Sequence, residues 1–242
     1  MVQLVVPREG ARRFERWSVL GWATIFLMGL TMFGVFIYAP TDSYQGIVQR
    51  LFYIHVPSAW VAYLAVFVVF VASLLYLFRR SRFWDRVALS SAELGVVFTT
   101  LALVTGSLWG RQDWGAWWVW DARLTTTLIL WLIYVGYLML RLSLGESPRA
   151  PRYAAIVGII GFIDVPIIHQ SVVWWRTLHP EPIVVNPGQS PALPPTMLLV
   201  LIVSLLAFTT LYSWLLQARC RLEAERDRVA QLRRLLPGGT DA

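Results

Sequence analysis

The sequence predicts an all-α integral membrane protein with six transmembrane helices, and three observations lead there. The chain of 242 residues is 57% apolar and only 14% charged, with a mean hydropathy of +0.58, where a soluble domain of this length carries more charge. Six apolar runs reach the roughly 20 residues that a helix needs to cross about 30 Å of hydrocarbon. The arginines fall in alternate connections, as topology-setting cations do.

The first span is read as Val19–Ala39, too long for a signal-peptide core and without a small-residue cleavage site, hence an uncleaved anchor. The others are read as Ala59–Phe78, Val87–Leu108, Leu124–Leu142, Ala154–Val173 and Thr196–Gln217. Each is expected to be helical, because a backbone in lipid must satisfy its own hydrogen bonds. Residues 1–242 read as one membrane domain ending in a tail at 218–242, with no internal repeat. In that tail Leu222, Val229, Leu232 and Leu236 share a helical stripe that either docks on anionic lipid or a partner helix, or merely extends the sixth span.

The chain has no lysine, so its formal charge of +7 comes from 21 arginines. Seventeen lie on one side, in the N-terminal segment (Arg8, Arg12, Arg13, Arg16), two connections and the tail. The other side holds Arg50, Arg111, Arg123 and Arg176. By the positive-inside rule both termini are cytoplasmic and the loops around Trp109–Thr127, His55 and His179 face outward. The basic balance is thus explained by topology, with no call for nucleic acid. Cys220 is the single cysteine, which excludes an internal disulfide, a CxxC pair, a thiolate metal cluster and covalent haem attachment through C-x-x-C-H. The sequence has no phosphate-binding G-x-x-x-x-G-K-[ST] motif either.

The stretch "WGRQDWGAWWVWDARLTTT", Trp109–Thr127, carries five of the chain's 13 tryptophans, two aspartates and two arginines. Interfacial anchoring accounts for Trp17, Trp22, Trp84, Trp174 and Trp175, but not for this density. If Trp114–Asp121 is helical, Trp114, Trp117, Trp118 and Asp121 share one face beside the small Gly115 and Ala116, a surface suited to a large flat apolar ligand. Arg50, Arg111 and Arg123 supply cations whose forked geometry matches carboxylates. A flat apolar disc with two carboxylates is a haem. Asp121 is expected to cap the fourth helix or orient Arg123 rather than touch a dianion.

Three histidines fall in or near the outward segments: His55 in "YIHVPSAW", just before the second span, His169 in "VPIIHQSVVWW" and His179 in "WWRTLHP". One interfacial histidine is more often a hydrogen-bonding residue than a ligand, but three beside a tryptophan-rich face offer axial ligands for haem iron. Pro57 and Pro180 restrict the backbone near two of them. Paired histidines inside helices would indicate an electron-transfer cytochrome b. Their place at the outer interface argues against that, and a transporter permease would need a partner ATPase.

"WGAWWVWDARLT" resembles the WWD motif of the haem-handling protein family in its CcmC form, and "IHVPSAW", "ALVTGSLWG", "PIIHQSVVWW" and "TLH" follow the same pattern in the same order. CcmF- and CcsA-type relatives typically place Pro after the Asp, where this chain has "ARLT". The resemblance implies an inner-membrane protein, not an enzyme, that holds haem b non-covalently at the periplasmic face and presents it to the haem chaperone CcmE. CcmD and the CcmA–CcmB transporter are the implied partners. It also implies His55 and His179 as axial ligands, Arg50 and Arg123 as propionate partners, and Trp114, Gly115, Trp117, Trp118, Trp120 and Asp121 as haem-binding segment. His169 is then structural, bonded to a carbonyl freed by Pro166. Pro after His179, where a polar residue is usual, departs from the pattern, and Glu93 and Asp164 match no family motif. Glu93 is expected to hydrogen-bond near the cytoplasmic boundary and Asp164 to lie deep.

Overall fold

The computed structural model describes residues 9–145, 147–175, 177–179 and 193–235. Arg8, Arg176, Pro180 and Leu236 lie outside them, as do the side chains of Arg12, Arg13, Arg16 and Trp17.

Among the described residues seven α-helices make six segments long and apolar enough to cross a membrane. Helix α1 (Glu9–Phe33) continues through a π-helical turn at Gly34–Tyr38, and a 3-10 turn at Ile47–Leu51 leads into α2 (Phe52–Arg79). Then come α3 (Arg82–Trp114), α4 (Ala122–Leu144), α5 (Ala150–Phe162), α6 (Asp164–Trp174) and α7 (Pro195–Leu235). The fifth span is therefore two helices broken at Ile163, not one. Helix α2 starts seven residues before the expected Ala59, so His55 lies in its first turn rather than ahead of it. Pro57 is accommodated inside α2, where the Ser58 hydroxyl donates to the Ile54 carbonyl at 2.7 Å.

Lipid does not drive apolar helices together, so close packing and interhelical hydrogen bonds must. The α2–α3 seam is lined by Ala62, Ala65, Ala72, Ala88, Ser91 and Ala92, all buried. The Ser91 hydroxyl donates to the Ala65 carbonyl at 2.8 Å and meets the Tyr212 hydroxyl of α7 at 2.7 Å. Helix α5 approaches α2 closely because residue 158 is glycine: a Cβ there would stand 2.8 Å from Val69 Cγ1. Tyr134 and Tyr137 of α4 stack in the same core.

At the end where α3 begins, ion pairs fix the frame. Arg141 holds Asp85 through both guanidinium nitrogens at 2.8 and 3.1 Å, joining α4 to α3. Arg219 holds Glu93 in the same two-pronged way at 2.6 Å for each bond. Glu93 is thus an ion-pair residue joining α3 to α7. The tail continues α7 as one helix to Leu235, and its Asp227 meets Arg82 and Arg86 of α3 at 3.7 and 3.1 Å. Leu222, Val229 and Leu232 are exposed along it. Asp164 is buried with its Oδ2 unpartnered.

Candidate functional site

The site lies at the other end, where the α3–α4 connection, the start of α2 and the approach to α7 meet. Asp42 caps the loop before α2 by accepting from the Tyr44 and Gln45 amides at 2.8 Å each. Gln45 donates to Asp113 Oδ2 at 2.8 Å, fastening this loop to the last turn of α3. The 3-10 turn then carries Arg50, whose guanidinium lies 5.5 Å from the Phe36 ring and whose Nε is buried without a partner.

His55 sits against α3. Its Nδ1 is 3.1 Å from Thr105 Oγ1, and its ring meets Trp109 edge-on at 5.8 Å. Gly106 makes room for it, since a Cβ there would stand 2.9 Å from His55 Cε1.

The tryptophan stretch is not helical between 114 and 121, which overturns the one-face arrangement expected of it. Helix α3 ends at Trp114 because Gly115 takes φ +71°, a left-handed conformation that glycine adopts without a Cβ clash. Arg111 closes the turn on the Gly115 carbonyl and lies over the Trp117 ring at 5.9 Å. Ser107 donates to the Trp117 carbonyl at 2.6 Å. Trp114 folds back over Gly110, where any Cβ would come within 2.8 Å of its ring.

The tryptophans are divided between two sides of α3. Trp109 faces His55, whereas Trp118 and Trp120, edge to face at 5.6 Å, wall an open apolar cleft of about 520 Å³ with Leu103, Val104, Ser107, Leu108 and Leu128. At 100° per residue, the α3 residues of that cleft point away from Thr105, Gly106 and Trp109.

Asp121 caps α4, its Oδ1 accepting from the Leu124 amide at 2.9 Å. Its Oδ2 accepts from the Leu178 amide at 3.2 Å, so one carboxylate starts a helix and holds the chain beside His179. Two residues on, Arg123 meets His179 Nδ1 at 3.3 Å and lies against Tyr63. Thr177 donates to the His179 carbonyl at 3.2 Å.

The His55 and His179 rings come together, with centroids 6.5 Å apart and planes at 37°. Two imidazoles holding one metal ion from opposite sides, with bonds of about 2 Å, put their ring centres roughly 6 Å apart. The ring spacing suits one iron between them, but Arg123, which can only donate, holds His179 Nδ1 as the acceptor, so binding through His179 Nε2 requires that contact to give way. Arg123 beside the pair and the unpartnered buried donors Arg50 Nε and Trp109 Nε1 suit a ligand bearing carboxylates, whereas the unpartnered Trp118 Nε1 belongs to the other side of α3. His169 joins neither histidine in ring contact: it is exposed on α6 and makes no hydrogen bond among the described residues, contrary to the carbonyl bond expected of it. Thr105, Gly106 and Tyr63 carried no assigned role in the sequence. "ALVTGSLWG" holds the first two, and only the α2–α3 pairing shows what they touch.

Length and composition of the six spans define a multi-pass membrane protein. The sequence profile of the family described as heme exporter protein C matches residues 3–235. The chain is 42% identical over 217 residues to heme exporter protein C of Bradyrhizobium diazoefficiens, covering 88% of this chain and 82% of that one. Against its Haemophilus influenzae counterpart the identity is 36%, over 85% and 83% of the two chains. The Escherichia coli K12 protein is 38% identical, over 67% and 69%. This chain belongs to the heme exporter protein C family, CcmC.

Proposed function

We propose that the chain binds haem b non-covalently at the periplasmic face of the inner membrane and presents it to the haem chaperone CcmE for cytochrome c maturation. CcmD and the CcmA–CcmB transporter are its proposed partners, with lipid around the bundle. The observation that carries this reading is the His55–His179 pair at 6.5 Å beside Arg123. His55 is held by the rigid start of α2, while His179 is held by a loop fastened through Asp121. Haem supplies an iron with two axial positions, which these imidazoles would fill. Arg123 and Arg50 would hold its carboxylates, and Trp109, edge-on to His55, would cover part of its apolar face. A ligand gripped partly by a loop at one end of the bundle can leave without the helical core opening, which suits handover rather than electron transfer.

The test is to purify the protein with haem and mix it with CcmE. The haem is expected to move to the chaperone, and its retention in full would refute delivery. Reporter fusions check the topology: one after Gln112 should report from the periplasm and one at the C-terminus from the cytoplasm, as the arginine distribution requires. A cytoplasmic signal after Gln112 would put the site on the wrong side for this role.

A further inference from the structure

We infer that Thr105 is the positioning residue that fixes which nitrogen of His55 carries the proton, leaving Nε2 free to bind iron. The inference rests on the proposed axial role of His55 and adds a partner on α3. A neutral imidazole has one N–H and one acceptor nitrogen, and the hydrogen bond at one nitrogen decides the role of the other. The Thr105 hydroxyl has a single proton. At 2.6 Å it is directed to the Leu101 carbonyl, with the Ala102 carbonyl at 3.3 Å as a second acceptor. Both are acceptors only; with its proton on the Leu101 carbonyl, Thr105 Oγ1 faces His55 Nδ1, at 3.1 Å, with a lone pair, and the Ala102 carbonyl is a second acceptor for the same ring. His55 therefore donates from Nδ1, and its Nε2 carries the lone pair.

The seat is built for this. Thr105 is 8% exposed, so no bulk water competes for the bond. Gly106 is the only residue type that leaves the ring in place, because a Cβ would stand 2.9 Å from His55 Cε1 and 3.4 Å from Nδ1. Trp109, one turn further along α3, closes the other edge at 5.8 Å. An outer hydrogen bond of this kind orients a metal-binding histidine and raises its basicity, which favours ferric over ferrous iron.

The experiment compares Thr105→Val, which keeps the shape but loses the acceptor, with Thr105→Ser, which keeps the hydroxyl. Each full-length protein is titrated with ferric and ferrous haem, and its midpoint potential is measured. For Thr105→Val the ferric affinity is expected to fall about 10- to 100-fold, the range for outer-shell partners. The ferrous affinity should fall less and the potential rise, while Thr105→Ser stays close to the parent protein. Unchanged affinity and potential in Thr105→Val, with a haem spectrum that still depends on His55, overturn the inference alone. Equal damage in both variants, each eluting as a monodisperse protein, also overturns it, because a hydroxyl would then be irrelevant. A spectrum unaffected by His55→Ala overturns the axial reading of the site and this inference with it.

Discussion

Replacing His55 or His179 by alanine is expected to abolish the six-coordinate low-spin absorption spectrum of the purified, haem-loaded protein, and free imidazole to restore it. The loss of affinity should exceed the hundredfold at the upper end for outer-shell partners, since a ligand itself is removed. The two ring centroids lie 6.5 Å apart, one ring from the first turn of α2 and the other from the loop before α7, so neither substitution disturbs a shared element. Imidazole can enter the space each leaves. His169→Ala serves as the control and should retain the parent spectrum, because that side chain is exposed on α6. A His169 variant that loses the low-spin form, beside a His179 variant that keeps it, would reverse the assignment.

The second large effect is expected from Arg123→Ala. A hydrogen bond to a charged group contributes about 1.5–3 kcal/mol, so haem retention should fall by roughly 10- to 100-fold. Arg123→Lys should recover only part of this, because an ammonium cannot present two parallel donors to a carboxylate. Arg123 also touches His179 and Tyr63, so its removal has a second possible origin in a displaced ligand loop. Haem dimethyl ester separates the two. If carboxylate pairing is the cause, parent and Arg123→Ala bind the ester equally. A deficit of the same size with the ester would move the role of Arg123 to holding His179.

The helical plan was legible in the sequence because lipid leaves the chain few options, and six long apolar runs with alternating arginine clusters satisfy them. The boundaries were less legible, because a helix does not stop where its apolar run stops. Helix α2 begins at Phe52 under the cover of a 3-10 turn and the Gln45–Asp113 bond, neither of which has a hydropathy signature. The end of α3 was written in the sequence but outweighed: Gly115 is a helix terminator and Asp121 a helix start, so the residues between them could not form the continuous face that tryptophan spacing invited. The break at Ile163 had its sign as well, since Pro166 has no N–H for the carbonyl of Phe162, the last residue of α5, and its ring crowds that carbonyl.

Within the candidate site, placement in outward-facing segments and family pattern pointed to His55, His179 and Arg123, which the structure brings together. Thr105 and Gly106 could not be found that way. Their partner is 50 residues away, and threonine and glycine are ordinary occupants of a tightly packed membrane helix. The division of the tryptophans across α3 was equally hidden, because it depends on a loop conformation and not on periodicity.

Helix α7 runs for 41 residues, and after its first position, Pro195, it contains neither proline nor glycine. At 1.5 Å per residue its axis is about 60 Å long, roughly twice the hydrocarbon thickness. Sharp kinks need a proline, a glycine or an inserted group, so the rod has no hinge where it leaves the lipid. Its intramembrane and extramembrane halves must share one tilt. Pivoting it by about 10° at Pro195 would carry the far end through about 10 Å. The Arg86–Asp227 and Arg219–Glu93 pairs therefore act as stays on a long lever, and small errors of angle at the membrane become large errors of position at its tip.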